Sequence, residues 1–231
     1  MRIALIEDDF SLAELMAATI EGDGHNCHHF ADCRSAKVAL RRDSFDCLLM
    51  DWHLPDGEGV DVLRWAHENL EPCPPVIMVT SRAEDEAIVA ALGAGADDYV
   101  VKPIVPAVLL ARLQALLRRA YPAPETVGGI ETHFGVDFDH GQCTVTVADR
   151  VVSLTHKEFG LALLLFQNMH RPLSRTYLLE AVWGRNPDLA TRTLDVHISR
   201  IRSRLDLAAA GFKLSSIQSF GYRLEMLTSQ L

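Results

Sequence analysis

The run Cys47-Leu48-Leu49-Met50 ends abruptly on Asp51, and a Leu54-Pro55-Asp56-Gly57 turn follows almost at once. A short apolar run bounded by turn residues reads as a buried strand of a parallel sheet. Open α/β sheets gather their ligands at the carboxyl ends of such strands. Asp51 is therefore placed where a loop can expose it to chemistry. An aspartate that merely starts a turn is the bland alternative, and the rest of the chain decides between the two.

Four further runs share the layout. Ile3-Ala4-Leu5-Ile6 ends on Glu7-Asp8-Asp9, residues 27–30 form a weaker strand, Val76-Ile77-Met78-Val79 ends on Thr80-Ser81, and Tyr99-Val100-Val101 ends on Lys102-Pro103. Helical patterns separate them: Leu12, Leu15, Met16 and Ile20 before Gly22, then 35–42, 59–68, 85–94 and 105–119. A regular (βα)5 alternation predicts a doubly wound α/β domain with helices on both faces of a parallel sheet.

These strand ends thus bring chemistry to one edge. Glu7, Asp8 and Asp51 supply clustered carboxylate oxygens, which repel one another unless a hard cation neutralises them; Mg2+ with retained waters suits them. Thr80 and Lys102 add a hydroxyl and an ammonium able to hold the oxygens of a transferred phosphoryl group. Carboxylates serve as nucleophiles in aspartyl-phosphate chemistry, and phosphoryl transfer needs mainly positioning and charge neutralisation.

The set Glu7-Asp8, Asp51, Thr80, Gly95-Ala96-Asp97-Asp98-Tyr99 and Lys102-Pro103 resembles the receiver domain of bacterial two-component response regulators over residues 1–120. The resemblance implies that Asp51 accepts a phosphoryl group from a sensor histidine kinase. It implies that Asp8, Asp51 and the backbone carbonyl of His53 hold Mg2+, with Glu7 acting through water. Thr80 and Tyr99 match the family's switch pair, Lys102 its phosphate-contacting lysine, and Lys102-Pro103 its cis peptide. His25, Cys27, His28, His29 and Cys33 have ligand types that suit zinc. Strand alternation sends Cys27 and His28 to opposite faces, so the structural reading is preferred there.

Composition separates the two halves. Residues 1–120 carry 11 basic and 20 acidic side chains, a balance of −9, whereas residues 121–231 carry 11 of each. Within the second half, residues 171–204 hold seven arginines against Glu180, Asp188 and Asp195. An acidic half joined to one with a local basic segment suggests two tasks, the second with an anionic partner. No run approaches the eighteen apolar residues of a membrane span. The N-terminus lacks a signal-peptide layout, and five cysteines without a C-x-x-C pair suit a reducing cytoplasm.

Residues 121–128 (Tyr-Pro-Ala-Pro-Glu-Thr-Val-Gly) have no periodicity and read as a linker before a second domain over 129–231. Short alternating runs at 132–134, 136–138, 143–147 and 151–153 predict a small antiparallel sheet. Thr155 and Glu158 form a capping box opening one helix, Ser174 caps a second, and a third runs over 191–205. A hairpin over 214–226 closes the chain.

On the third helix Leu194, Ile198, Ile201 and Leu205 make one apolar stripe. Arg192, Val196, Ser199, Arg200 and Ser203 project away from it. A solvated arginine-bearing face is one reading. A face of short side chains approaching a major groove, with arginine bidentate to guanine, is the other.

The segments Leu154-Thr155, Glu158-Phe159, Arg171-Pro172-Leu173-Ser174-Arg175, Val182-Trp183-Gly184, 192–202 and Gly221-Tyr222-Arg223-Leu224 resemble the winged-helix effector domain of OmpR/PhoB-type regulators. That resemblance implies an α+β winged-helix domain binding double-stranded DNA. Base contacts would come from Arg200 with Thr193, Val196, Ser199 and Ser203, and phosphate contacts from Arg192, His197 and Arg202. The wing position that carries arginine in the family is Gln218 here, so minor-groove reach is expected to be weaker. On the receiver, Ile88 and Leu109 replace charged partners of the family's dimer face while Asp97 and Arg112 remain, which predicts a more apolar homodimer seam.

The expected protein is a cytoplasmic transcription factor, controlled by phosphorylation, dimeric on paired half-sites and in contact with RNA polymerase. The alternative of the same fold is a phosphorylation-independent, constitutively dimeric DNA binder. A stand-alone phosphoryl-transfer enzyme lacks a second catalytic site.

Overall fold

A computed structural model describes the chain except for residues 82–91, 123–125, 128, 185–190 and 228–231. Most of the helix expected over 85–94, and Ile88 with it, lies outside the described residues. Two compact units, Met1–Pro122 and Ala123–Leu231, make up the chain.

In the first unit the strands are β1 (Arg2–Ile6), β2 (Asn26–Phe30), β3 (Cys47–Asp51), the short β4 (His53–Leu54) and β5 (Gly57–Glu58), β6 (Val76–Thr80) and β7 (Asp98–Val101). Helices α1 (Phe10–Gly22), α2 (Cys33–Arg42), α3 (Gly59–Asn69) and α4 (Pro106–Ala120) are interleaved with them. The main sheet runs β2-β1-β3-β6-β7 with every pair parallel, so the strand order reverses between β1 and β3. β1, β3 and β6 are buried along their whole length, which is why their sequences are continuous apolar runs and not alternating ones.

Each side of the sheet has its own apolar layer. Ala4, Ile6, Leu48 and Met50 pack with Ala36, Leu40, Leu63 and Ala66 of α2 and α3. Ile3, Leu5, Leu49 and Ile77 pack with Met16, Ile20, Leu109, Leu113 and Leu116 of α1 and α4. Leu109 is therefore not the exposed dimer-face residue that its family position suggests; its exposure is 0%. The reason is helical phase. Leu109, Leu113 and Leu116 recur at i, i+4 and i+7, which turns all three toward the sheet.

The His/Cys group disperses as alternation requires. Cys27 enters one apolar layer and Cys33 the other. His28 accepts from Arg2 Nε at 3.2 Å, while the His29 ring nitrogen meets the Glu7 carbonyl at 2.6 Å.

The second unit opens with a sheet ordered β12-β11-β10-β9-β8, comprising β8 (Thr126–Val127), β9 (Ile130–His133), β10 (Val136–Asp139), β11 (Thr144–Val147) and β12 (Arg150–Ser153). Thr126–Val127 lies in the stretch that composition assigns to the linker, yet it pairs with β9. Helices α5 (His156–Gln167), α6 (Arg175–Trp183) and α7 (Thr191–Leu205) follow. Strand β13 (Leu173–Ser174) lies between α5 and α6, and β14 (Phe212–Ile217) and β15 (Gly221–Met226) form the closing hairpin. The capping box opens α5 as expected: Glu158 N–H donates to Thr155 Oγ1 at 3.4 Å, and Thr155 N–H donates to Glu158 Oε2 at 3.1 Å. Leu194, Ile198, Ile201 and Leu205 are at most 1% exposed, so the stripe read from the sequence is the face α7 buries.

Candidate phosphoacceptor site and nucleic-acid interface

Three carboxylates and one ammonium meet at the carboxyl edge of the main sheet. Oxygens of Glu7, Asp8 and Asp51 come within 4.8 Å of one another, and this is the one such acid, histidine or cysteine group among the described residues. Asp51 and Glu7 are buried, and Asp8 is exposed. Lys102, just past β7, places Nζ 3.0 Å from Asp51 Oδ2 and donates to Glu7 Oε1 at 2.9 Å. The second Asp51 oxygen accepts the Trp52 N–H at 2.7 Å. Thr80 closes β6, whose Val79 is level with Asp51, and its carbonyl accepts the Lys102 N–H at 2.8 Å. Lys102-Pro103 is cis, as the resemblance implies.

Electrostatics follow from this crowding. Burial pushes the Glu7 pKa above its ordinary value of 4.5, the Asp51 charge adds to the rise, and Lys102 offsets part of it. Burial works against the charge of Lys102, but hydrogen bonds to Glu7 and Asp51 outweigh it and hold the ammonium pKa above 10.5. Glu7 Oε2 is buried without a hydrogen-bond partner, although the ammonium also stands 2.9 Å from it. A buried carboxylate oxygen left in that state, beside two further carboxylates and one cation, fits a hard divalent ion with bound water.

Two neighbouring aspartates have structural tasks that sequence reasoning missed. Asp9 caps α1, accepting from Ser11 and Leu12 N–H at 2.9 and 3.1 Å. Asp56 accepts from Cys33 and Arg34 N–H at 2.7 and 3.0 Å, so the loop after Asp51 is tied to the start of α2. Those hydrogen bonds, led by the one from Cys33, pull the Asp56 pKa below its ordinary value. An N-terminal Asp-x-x motif could have revealed the first. Nothing local could have revealed the second, whose partners are more than twenty residues away. His53 begins β4 and pairs with Glu58.

Tyr99, the expected switch partner of Thr80, lies under Arg112, whose guanidinium carbon is 5.6 Å from the ring centre. Arg112 in turn donates to Asp98, not to Asp97, at 2.7 Å. Asp97 accepts the Val76 N–H at 2.8 Å and stands 3.9 Å from Arg119.

In the second unit α7 exposes Val196, Ser199, Arg200 and Ser203, with Thr193 partly covered; the Arg192 side chain is outside the described residues. His197 is half-buried against Trp183, ring centres 5.2 Å apart, and its buried Nδ1 has no hydrogen-bond partner. Arg202, the third expected phosphate contact, also has a structural task. Its Nε and Nη2 both donate to the Leu214 carbonyl, at 3.0 and 2.6 Å, so this side chain fastens α7 to the hairpin. Gln218 is exposed at the hairpin turn, beside Ser219 with φ of +58°. Glu158, buried at the start of α5, receives Arg204 at 2.9 Å and lies 3.9 Å from Arg200, a link from capping box to α7 that no periodicity announces.

Residues 3–114 match the response regulator receiver domain, and residues 149–224 match the transcriptional regulatory protein C-terminal family. The phosphate regulon transcriptional regulatory protein PhoB of Rhizobium meliloti is 33% identical over 225 residues, covering 97% of this chain and 98% of its own. The DNA-binding response regulator MtrA of Mycobacterium leprae is 34% identical over 205 residues, 89% of each chain. Among solved structures, the Thermotoga maritima OmpR/PhoB homologue DrrB aligns over 97% of this chain and 98% of its own, at 28% identity and a TM-score of 0.48. Receiver domain, winged-helix effector domain and full-length relatives agree: the chain belongs to the OmpR/PhoB-type response regulators, the phosphorylation-regulated transcription factors of two-component systems.

Proposed function

We propose that Asp51 is the phosphoryl acceptor, with a sensor histidine kinase as donor. An Asp51 carboxylate oxygen attacks phosphorus, the phosphorus–nitrogen bond of the phosphohistidine breaks, and the imidazole nitrogen leaves with the electron pair and takes up a proton. The observation that carries this reading is Lys102 bridging Asp51 and Glu7 at the edge of the sheet. Its ammonium is positioned to follow the negative charge from carboxylate to phosphoryl oxygen, and the Thr80 hydroxyl is the second candidate to hold that group. Asp8, Asp51 and the His53 carbonyl would hold Mg2+, with Glu7 acting through water. The ion supplies charge neutralisation for the incoming phosphoryl group. Replacing Asp51 with asparagine removes the nucleophile, so labelling by radioactive acetyl phosphate is expected to vanish. Persistent acid-labile label on Asp51→Asn would move the acceptor elsewhere.

The output is DNA binding through α7, with Arg200 as the base-reading side chain and Ser199, Ser203, Val196 and Thr193 around it. Arg192 and His197 contact phosphate, and Gln218 extends the wing. His197 is the half-buried member of this set, its ring against Trp183. Homodimers engage paired half-sites about one helical turn apart. RNA polymerase is the further partner, the cytoplasm is the location, and no enzymatic activity beyond the aspartyl phosphate's own formation and loss is expected. Among the described residues no helix is long and apolar enough to cross a membrane. The reading in which an apolar seam keeps the protein dimeric without phosphorylation loses one of its two supports, because Leu109 is buried in its own domain.

A further inference from the structure

Asp195 is the only carboxylate on α7, among Arg192, Arg200, Arg202 and Arg204. Its side chain is 47% exposed. Two other elements converge on one of its oxygens. Arg175, the first residue of α6, brings Nη1 to 2.6 Å from Asp195 Oδ1, and Tyr222 of β15 donates its hydroxyl to the same oxygen at 2.5 Å. The Arg175 guanidinium also stacks over the Tyr222 ring at 5.0 Å, and its backbone N–H donates to the Phe220 carbonyl at 3.0 Å. Burial and the Asp195 hydrogen bond both raise the Tyr222 pKa, which keeps the phenol a donor.

Stability accounts for the Tyr222 hydroxyl, a buried group that gains its partner here, but not for the Arg175–Asp195 pair. Ion pairs this exposed are screened by water and contribute little to folding. Binding does explain it. A bare carboxylate on the helix that approaches DNA would repel phosphate, more strongly as water leaves the interface.

We propose that Arg175, with Tyr222, covers the negative charge of Asp195 and so sets DNA affinity without touching DNA. Arg175 is then a positioning residue that acts through Asp195. The inference rests on α7 being the DNA-contacting helix. It differs from a direct contact in the sign of the coupling. If Arg175 covers Asp195, removing both charges restores what removing Arg175 alone loses.

The test uses the full chain and a duplex selected by the wild-type protein from a random pool, with a random-sequence duplex beside it. Arg175→Met keeps the aliphatic stem over Tyr222 and removes the charge; Arg175→Ala is the second variant, and melting curves check both. Arg175→Met is expected to weaken binding about five- to tenfold on both duplexes, as an uncovered like charge does. Adding Asp195→Asn is expected to bring affinity back to within about twofold of wild type, the non-additivity of directly coupled residues. An unchanged affinity for Arg175→Met, or a double variant as weak as the single one, overturns the proposal. Arg200→Ala, measured in parallel, separates the two levels. If it leaves binding intact, the reading of α7 fails and the cover falls with it. If it weakens binding while the double variant shows no recovery, only the cover fails.

Discussion

Gly59 lies so close to the Asp51 carbonyl that a β-carbon on Gly59 would stand 2.0 Å from that oxygen. The Gly59 N–H also donates to the Trp52 carbonyl at 2.7 Å, so the first turn of α3 rests directly on the end of β3. The obstacle is backbone, which cannot rotate aside as a side chain can. Gly59→Ala is therefore expected to destabilise the first domain by about 1–3 kcal/mol, the usual cost of forcing an extra carbon into a filled site. It should also slow acetyl phosphate labelling, because Asp51 moves with its own carbonyl. Thermal unfolding and labelling rates check both, and a wild-type melting curve would show that β3 and α3 separate freely.

The raised Glu7 pKa gives Mg2+ binding a pH signature. A carboxyl group whose folded pKa is raised favours the folded state while protonated. That contribution is full below the ordinary value of 4.5 and is lost as pH rises through the folded value. Metal uptake has the opposite sign, because it needs the ionised carboxylate. Mg2+ affinity is expected to fall as pH drops through the raised Glu7 pKa, at a pH above 4.5. Glu7→Gln should weaken binding at neutral pH and flatten this step. Calorimetric titration across the acidic range decides, and a profile that breaks only below 4.5 removes Glu7 from the ion's environment.

At the other end of the chain Glu158 serves two masters, capping α5 and receiving Arg204. Burial opposes its charge, yet the Thr155 hydrogen bonds and Arg204 prevail and hold its pKa below 4.5. A lowered carboxyl contributes stability above its unfolded pKa, and that contribution is lost as pH falls through the folded value. Glu158→Ala removes half of the capping box and leaves Arg204 unpaired, so a loss of about 1–2 kcal/mol is expected. The loss should shrink in acid, where wild type loses the same carboxylate. Denaturant melts at neutral and acidic pH test this; an equal difference at both would mean that packing, not charge, carries the effect.

Which parts were legible in the sequence follows from how local their causes are. Asp51, Glu7, Thr80 and Lys102 each end or directly follow a strand, and a parallel sheet brings all such ends to one edge, so their convergence could be read from order alone. The α7 stripe could be read for the same reason, since one helix carries the whole pattern. Arg202 could not: its acceptor, Leu214, belongs to a hairpin whose packing against α7 no local pattern states. Asp56 at the start of α2 is the same case. Leu109 is different. Its inward phase was present in the Leu109, Leu113 and Leu116 spacing, and a positional likeness to family dimer faces pointed the other way.

That reversal changes what receiver association should look like. With Leu109 buried, this side of the domain, which also exposes Val105 and Val108, carries two charged pairs: Arg112 with Asp98 at 2.7 Å, and Arg119 with Asp97 at 3.9 Å. They are partly exposed, and exposed pairs of this kind are worth up to about 1 kcal/mol each and are screened by salt. An interface that exchanges such pairs between two copies weakens as the screening length shrinks from about 10 Å at 0.1 M salt to about 3 Å at 1 M. Dimerisation is therefore expected to be weak without phosphorylation and to lose several-fold in affinity between low and high salt. Arg112→Ala should weaken it further by leaving Asp98 unpaired. Leu109→Glu, in contrast, should unfold the first domain, because it places a carboxylate in a closed apolar layer at a cost of several kcal/mol. Sedimentation of the unphosphorylated protein at both salt concentrations distinguishes the cases. A strong dimer indifferent to salt would restore the apolar seam and require residues other than Leu109 to form it.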